Sequence, residues 1–250
     1  MGMHVIGQFL EMIEAVESAD ELMLVMTEFC RTLEFDHFAL TQHIDIVRGL
    51  GSEFRLHNYP ESWTEFYETN ALGVSDPVHR ASNVRNDGFR WSRLTEFIPL
   101  TAGDHRILEL GREHGIGEGY TVPGNVPGEV LGSCSFANRA GRPLGREMVM
   151  AAQLAGSCAF ERARRLWRGR QVDWGEEKMP VLTDRQRDCV LWAARGKGNW
   201  EIAKILDVSQ ETVRSHIRQA CERYGVHKRS LLEIRTLADG TLSFPDVLRR

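Results

Sequence analysis

With 250 residues, 42% of them hydrophobic, and a net charge of −4, the chain is long enough for one substantial core and a second small domain. It holds no uncharged apolar run of about eighteen residues and no basic start leading into an apolar stretch, which argues against a membrane span or a signal peptide and makes a cytoplasmic location the expectation. The five cysteines form an odd set without a CxxC pair, so buried free thiols are expected rather than a disulfide framework or a zinc site.

The chain opens on two amphipathic patterns, Phe9, Leu10, Ile13 and Val16, then Leu22, Val25, Met26, Phe29, Cys30 and Leu33, each burying one helical face. Short apolar or alternating segments at His37–Thr41, Phe54–His57, Tyr120–Val122 and Val130–Ala137 read as strands, and helical patterns lie at Glu61–Thr69 and Gly103–His114. A long helix is expected from near Leu144, just after Pro143, to Arg168, with Met148, Ala151, Ala152, Ala155, Ala159 and Ala163 available for packing. Helices mixed with a mainly antiparallel sheet give an α+β layer fold. The polar stretch Arg170–Pro180, with its Gly and terminal Pro, reads as a linker.

Charge sets the C-terminal module apart from the rest of the chain. From Pro180 to Arg250, 13 Lys and Arg stand against 9 Asp and Glu, a net of +4, leaving 18 against 26, or −8, for the remainder. Only the C-terminal module is suited to a polyanion. That module breaks into four short helices. Thr183 caps the first, which stops at Gly196; Trp200–Leu206 is the second; Asp207, a residue that tolerates a left-handed conformation, turns the chain; and Ser209 caps the third. In the third helix Val213, Ile217, Ala220, Cys221 and Tyr224 make an apolar face. Thr212, Arg214, Ser215, Arg218 and Gln219 are left on the open face. An isolated helix of this composition is usually an ordinary solvated surface. The small Ala203, the tight turn, the cap and Val213 together have helix-turn-helix spacing, so the open face is expected in the major groove of double-stranded DNA, with Arg214 and Arg218 as base readers. Lys197 and Arg229 are expected at phosphates.

In the N-terminal part, Tyr59, Trp63 and Tyr67 fall four apart on one helical side, followed by Asp76–Pro77 and Trp91. A pocket for a neutral amide ligand needs aromatic walls, indole and phenol donors for carbonyls, and a carboxylate to accept from N–H. The same residues also fit a plain aromatic core with Asp76 capping a helix begun by Pro77. Enzyme signatures are missing: GREHGIGEG has Val122 where a third glycine would complete GxGxxG, and neither HExxH nor GxSxG occurs. A receiver domain would need alternating parallel strands and helices with acidic strand ends, which residues 1–170 lack.

The C-terminal module resembles the LuxR-type helix-turn-helix in Leu182–Thr183, Arg185, Gly196–Lys197, Glu201–Ile202–Ala203, Leu206, Ser209, Thr212–Val213, His216, Gly225–Val226 and Arg229. It departs at Gln186, where Glu is usual, and at Gln219, where Asn is common. The N-terminal part is similar to the autoinducer-binding domain of LuxR-type regulators: Tyr59–Pro60 and Trp63, then Asp76–Pro77, then Trp91, then Gly119 within Gly115–Gly119. The resemblance implies a receptor for N-acyl-homoserine lactones. In it Trp63 donates to the lactone carbonyl, Asp76 accepts the amide N–H, Tyr59 bonds the acyl carbonyl, Trp91 packs by the lactone ring and Tyr67 lines the acyl path. A hydroxyl from Ser133 or Ser135 joins the amide.

The expected protein is therefore a quorum-sensing transcription regulator. An N-terminal α-β-α sandwich for ligand binding and dimerisation (1–169), a linker (170–180) and an all-α four-helix helix-turn-helix domain (181–250) work as a homodimer on a palindromic site. The expected partners are double-stranded DNA, the lactone signal, a second copy and RNA polymerase, with no membrane, metal or cofactor. The alternative is a regulator of the same fold that answers another small molecule or acts without one.

Overall fold

The computed structural model describes residues 2–43, 54–126, 129–171 and 180–248. The chain forms two compact units, Met1–Val126 with Val130–Asp173, and Trp174–Arg250 with Pro127–Glu129. Of the expected linker, residues 172–179 lie outside the described residues, while Arg170 and Gln171 end a long helix.

The N-terminal unit is built on one antiparallel sheet in the order β2-β1-β5-β4-β3, from β1 (His37–Gln42), β2 (Arg55–His57), β3 (Phe89–Arg90), β4 (Gly119–Pro123) and β5 (Gly132–Ala137). Side chains alternate across a strand. With Leu40 opposite Leu56 and Cys134, and Val122 opposite Cys134, one face carries Phe38, Leu40, Leu56, Tyr120, Val122, Cys134 and Phe136. Helices α1 (Gly2–Ala15), α2 (Ala19–Leu33) and α6 (Arg146–Gln171) supply Phe9, Leu22, Met26, Phe29 and Phe160 to the core on that face. Ala151, Ala152, Ala155, Ala159 and Ala163 are all buried along α6. These small side chains let α6 ride close to the strands; a Cβ at Gly156 would lie 2.9 Å from Val122 Cγ2.

The opposite face is covered by α3 (Glu61–Thr69), α4 (Pro77–Ser82) and α5 (Ala102–Glu113), together with single 3-10 turns at 72–74 and 91–96. The result is the expected α-β-α sandwich. The two-residue β3, the 3-10 turns and α4 as an established element are additions to the sequence-based expectation, being too short to show a period. Asp104 holds this layer in place: its carboxylate accepts from the backbone and hydroxyl of Thr101 and from Arg80 of α4 at 2.7 Å. Burial pushes its pKa up, but the Thr101 and Arg80 hydrogen bonds outweigh burial and leave it below the usual range.

The C-terminal unit contains α7 (Asp184–Ala194), α8 (Asn199–Leu206), α9 (Gln210–Arg223) and α10 (Arg229–Ala238), with a short α11 (Phe244–Leu248) beyond the four expected helices. Val190, Ile202, Val213, Ala220, Leu232 and Leu242 are its most deeply buried apolar residues. Between α8 and α9 the turn is made by Asp207, in the left-handed region at φ 53, ψ 51, and Ser209 accepts from the Thr212 backbone N–H as N-cap. A side chain other than Gly, Asn or Asp is strained there. Asp207→Ala is therefore expected to lower the stability of the C-terminal unit by about 1 kcal/mol in urea titration followed by circular dichroism, and Asp207→Gly to change it by no more than a few tenths.

Candidate functional site

Between the sheet and the α3–α5 layer lies a cavity of about 320 Å³. It exists because this sheet face is lined with small or polar residues. Ala39, Ser135 and Thr121 lie directly side by side across β1, β5 and β4, and His57 adjoins Ala39 on β2. Across the space stand Trp63 and Tyr67 of α3, Val78 of α4, and Ile107, Leu108 and Gly111 of α5.

The cavity's polar groups divide into those already bonded and those still free. Trp91 Nε1 donates to Thr121 Oγ1 at 2.8 Å, and Thr121 and Ser135 share a hydroxyl–hydroxyl bond of 2.8 Å, so this part of the wall is internally satisfied. A Cβ at Gly119 would overlap the Trp91 indole, which explains the glycine by space rather than by backbone angle. Asp76 caps α4 by accepting from Val78 N–H at 2.8 Å and accepts from the Tyr67 hydroxyl at 2.7 Å, while still lining the cavity. Capping and pocket roles are compatible, because each carboxylate oxygen has a second lone pair. By contrast, Trp63 Nε1 and the Tyr59 hydroxyl make no hydrogen bond among the described residues. Burial raises the Tyr59 and Tyr67 pKa values, so both phenols keep their protons.

Tyr59, Trp63, Tyr67, Asp76, Trp91 and Ser135 thus all line one cavity. Ser133 does not: it is on the same sheet face one rung away, but its hydroxyl is covered by His43 Nε2 at 2.9 Å. His43 in turn stacks on the cavity residue His79 at 4.0 Å between centroids. Sequence reasoning missed Arg55, His57 and His79 as cavity residues; the alternation of β2 holds the signal for the first two, once its register with β1 is known.

In the C-terminal unit, α9 presents Arg214 and Arg218 outward. Each pairs within its own helix, Arg214 with Glu211 at 2.5 Å and Arg218 with Glu222 at 3.7 Å, with every partner more than half exposed. Exposed pairs are worth about 0–1 kcal/mol, so both guanidiniums exchange readily for an external acceptor. Thr212 bonds the Ser209 hydroxyl at 2.8 Å, and Ser215 accepts from Gln219 at 3.3 Å. The two departures from the family pattern meet: Gln186 Nε2 donates to Gln219 Oε1 at 3.1 Å, while Gln186 also completes the capping box with Thr183. No ion pair is needed there. Lys197 pairs with Glu201 at 2.9 Å. Arg229 bonds Glu233, Asn199 and the Lys197 carbonyl, which makes it a tie between α10 and the start of α8 more than an open cation.

A buried cavity with free donors, carried on a chain with a helix-turn-helix unit, defines a ligand-sensing DNA-binding regulator. Residues 18–163 match the family described as the autoinducer binding domain, and residues 180–234 match the bacterial regulatory proteins of the luxR family. The transcriptional activator protein AhyR of Aeromonas hydrophila is 26% identical over 238 residues, covering 94% of this chain and 91% of its own. Among solved structures, Escherichia coli SdiA aligns with a TM-score of 0.62 at 23% identity over 98% of both chains. SdiA in complex with octanoyl-rac-glycerol gives 0.61 at 23% identity over 93% of both. The N-acylhomoserine lactone-dependent factor CepR2 of Burkholderia cenocepacia gives 0.54 at 13% identity, over 69% of this chain and 99% of its own. The chain belongs to the autoinducer-binding, LuxR-type family of bacterial transcription regulators, which are not enzymes. No helix of the described residues is long and apolar enough to cross a membrane, and no cluster among them could hold a metal ion.

Burial lowers the pKa values of His37, His43 and His57 from the ordinary 6.5. The unfolded chain takes up protons near that value which the fold refuses, so stability is complete above pH ~6.5 and declines as pH falls below it, His43 alone contributing on the order of 1 kcal/mol per pH unit. The melting temperature of the N-terminal unit is expected to fall between pH 7.5 and 5.5, less steeply in His43→Gln; an identical slope in the variant would show that His43 contributes nothing to it. Gly119→Ala is expected to displace the Trp91 indole and weaken ligand binding by about tenfold or more while circular dichroism shows the sheet retained.

Proposed function

We propose that the protein binds an N-acyl-homoserine lactone in the cavity and, as a cytoplasmic homodimer, a palindromic promoter site through α9. One observation carries this: an aromatic-lined cavity offers two donors that make no hydrogen bond among the described residues, Trp63 Nε1 and the Tyr59 hydroxyl, together with the Asp76 carboxylate. A ligand with two carbonyls and one amide N–H complements that set. Trp63 would donate to the lactone carbonyl, Tyr59 to the acyl carbonyl, and Asp76 would accept the amide N–H. Trp91, its own N–H committed to Thr121, would meet the lactone ring by its face. Leu231 and Ile234, both exposed and three residues apart on α10, offer an apolar strip that a second copy would cover. RNA polymerase is the further partner such a regulator would need.

Ligand and fold are then coupled by mass action. A ligand at 100 times its dissociation constant stabilises the native state by about 2.7 kcal/mol, so signal concentration sets the amount of folded, DNA-competent protein. A second reading has support in the complex of SdiA with octanoyl-rac-glycerol: an acylated ligand without a lactone ring could use the same donors.

Thermal unfolding against a panel of acyl-homoserine lactones and octanoyl-glycerol tests both. A dose-dependent rise with a lactone, cut about tenfold in affinity by Trp63→Phe, supports the first. A response to the glycerol ester alone selects the second. On DNA, Arg214→Ala and Arg218→Ala are each expected to cost about 1–3 kcal/mol on a specific site in gel-shift titration and to relax sequence preference.

A further inference from the structure

The cavity wall changes character along its length. Trp91, bonded to Thr121 of β4, stands toward one edge of the sheet, and Arg55 and His57 of β2 stand at the other. These ends are separated by β5 and β1, three strand spacings or roughly 14 Å. Around the Trp91 end, Trp63, Ile116 and Ala137 pack in one aromatic and apolar cluster, and the polar groups beside them bond one another, Trp91 with Thr121, Thr121 with Ser135 and Ser92 with Glu118. At the β2 end the wall is polar. Thr41 pairs with Arg55 and Ala39 with His57, so all four share the cavity face.

Two of those groups have hydrogen-bonding capacity left over. Arg55 commits Nη1 to Glu68 at 2.9 Å, and its Nε and Nη2 make no hydrogen bond among the described residues. His57 Nδ1 is buried without a partner among them. A methyl-terminated alkyl chain would fill the space, leave the buried His57 Nδ1 unpaired and offer nothing to the Arg55 N–H groups that Glu68 does not take, an arrangement folded proteins avoid. An anion is not required either, because Glu68 already balances the Arg55 charge. Burial, aided by the charge of Arg55, keeps His57 in its neutral form at neutral pH. A neutral imidazole nitrogen and a guanidinium N–H together suit a group that both accepts and donates, which a hydroxyl does and a ketone does not.

We propose that the acyl group of this receptor's lactone signal ends in a neutral hydroxyl, alcoholic or phenolic, held by Arg55 and His57 at the β2 end of the cavity. The proposal rests on the acyl-homoserine-lactone reading of the same cavity and names the chemistry of its far end. Tyr59 and Tyr67 stand between the amide-binding groups and that end: the His57 and Tyr59 rings lie nearly parallel at 5.9 Å, and the Arg55 guanidinium sits 5.2 Å from the Tyr67 ring centre.

The test uses the full chain and two matched pairs of homoserine lactones differing only in the terminal hydroxyl: octanoyl against omega-hydroxyoctanoyl, and phenylpropanoyl against its para-hydroxyphenyl counterpart. Dissociation constants come from competition binding and are checked by thermal shift. The hydroxylated member of at least one pair is expected to bind about tenfold or more tightly, the discrimination that one bond to a charged donor confers. Arg55→Met and His57→Leu should each collapse that preference to about twofold or less, the ratio within a pair being read whatever either substitution does to the affinity of the plain member. Equal binding within both pairs, or a preference untouched by both substitutions, overturns the proposal and leaves the lactone reading standing. Failure of all four lactones to bind overturns the lactone reading itself.

Discussion

In β5, Cys134 and Phe136 point to one face of the sheet while Ser133, Ser135 and Ala137 point to the other, and that alternation governs how much room is left on each side. The large side chains meet α1, α2 and α6 and close-pack as protein interiors do. The small ones leave room beneath the α3–α5 layer, which meets this face at Ala137 through Trp63. The space they leave is the cavity, and every polar feature of the site depends on which groups border it. A register slip of one residue in β1 or β5 would reverse the faces, filling the cavity with Phe136 and stripping the core. The chain guards against this by pairing β5 on both sides, against β1 and β4, over most of its length.

Much of this was legible in the sequence because long elements carry their period in plain view. Glu61–Thr69 forms the expected helix, the α6 alanines face inward as expected, and Asp207 adopts the expected left-handed turn. What stayed hidden was either too short for a period, such as β3 and α11, or depended on register. Ser133 and Ser135 are equivalent in sequence, two residues apart on one face. Only the approach of His43 over Ser133 separates them, and that contact spans 90 residues of chain. Arg55 and His57 were passed over for a related reason: a basic residue and a histidine in a three-residue edge strand read as solvent-facing until the strand is seen to pair with Ala39 and Thr41.

In each of the two units the same physical device recurs at different cost. In the cavity, a ligand that covers a donor without pairing it forfeits roughly 1–3 kcal/mol. On α9, the polar groups are exposed and already paired with Glu211 and Glu222 in contacts that water and salt weaken. A receptor of this kind gains ligand selectivity from the first arrangement, because a ligand that covers those donors must also satisfy them. It gains speed and reversibility on DNA from the second, because exchanging an exposed glutamate for a base edge strands no buried charge.

The fixed parts of the C-terminal unit set the limits of that exchange. Arg229 is held by Glu233, Asn199 and the Lys197 carbonyl, and Gln219 by Gln186, so both serve first to fix α10 and α9 against their neighbours. A charge that must leave three internal acceptors to reach a phosphate contributes little net affinity. With a C-terminal excess of only +4, counterion release from a few contacts supplies modest non-specific binding, and the burden of recognition falls on the exposed face of α9. Two such faces, presented together by the proposed dimer, would multiply a weak single contact into a specific one. In the proposed reading, the step that brings two copies together, and hence the ligand that stabilises the folded unit, would control DNA occupancy without any need for the ligand to touch the DNA-binding helices.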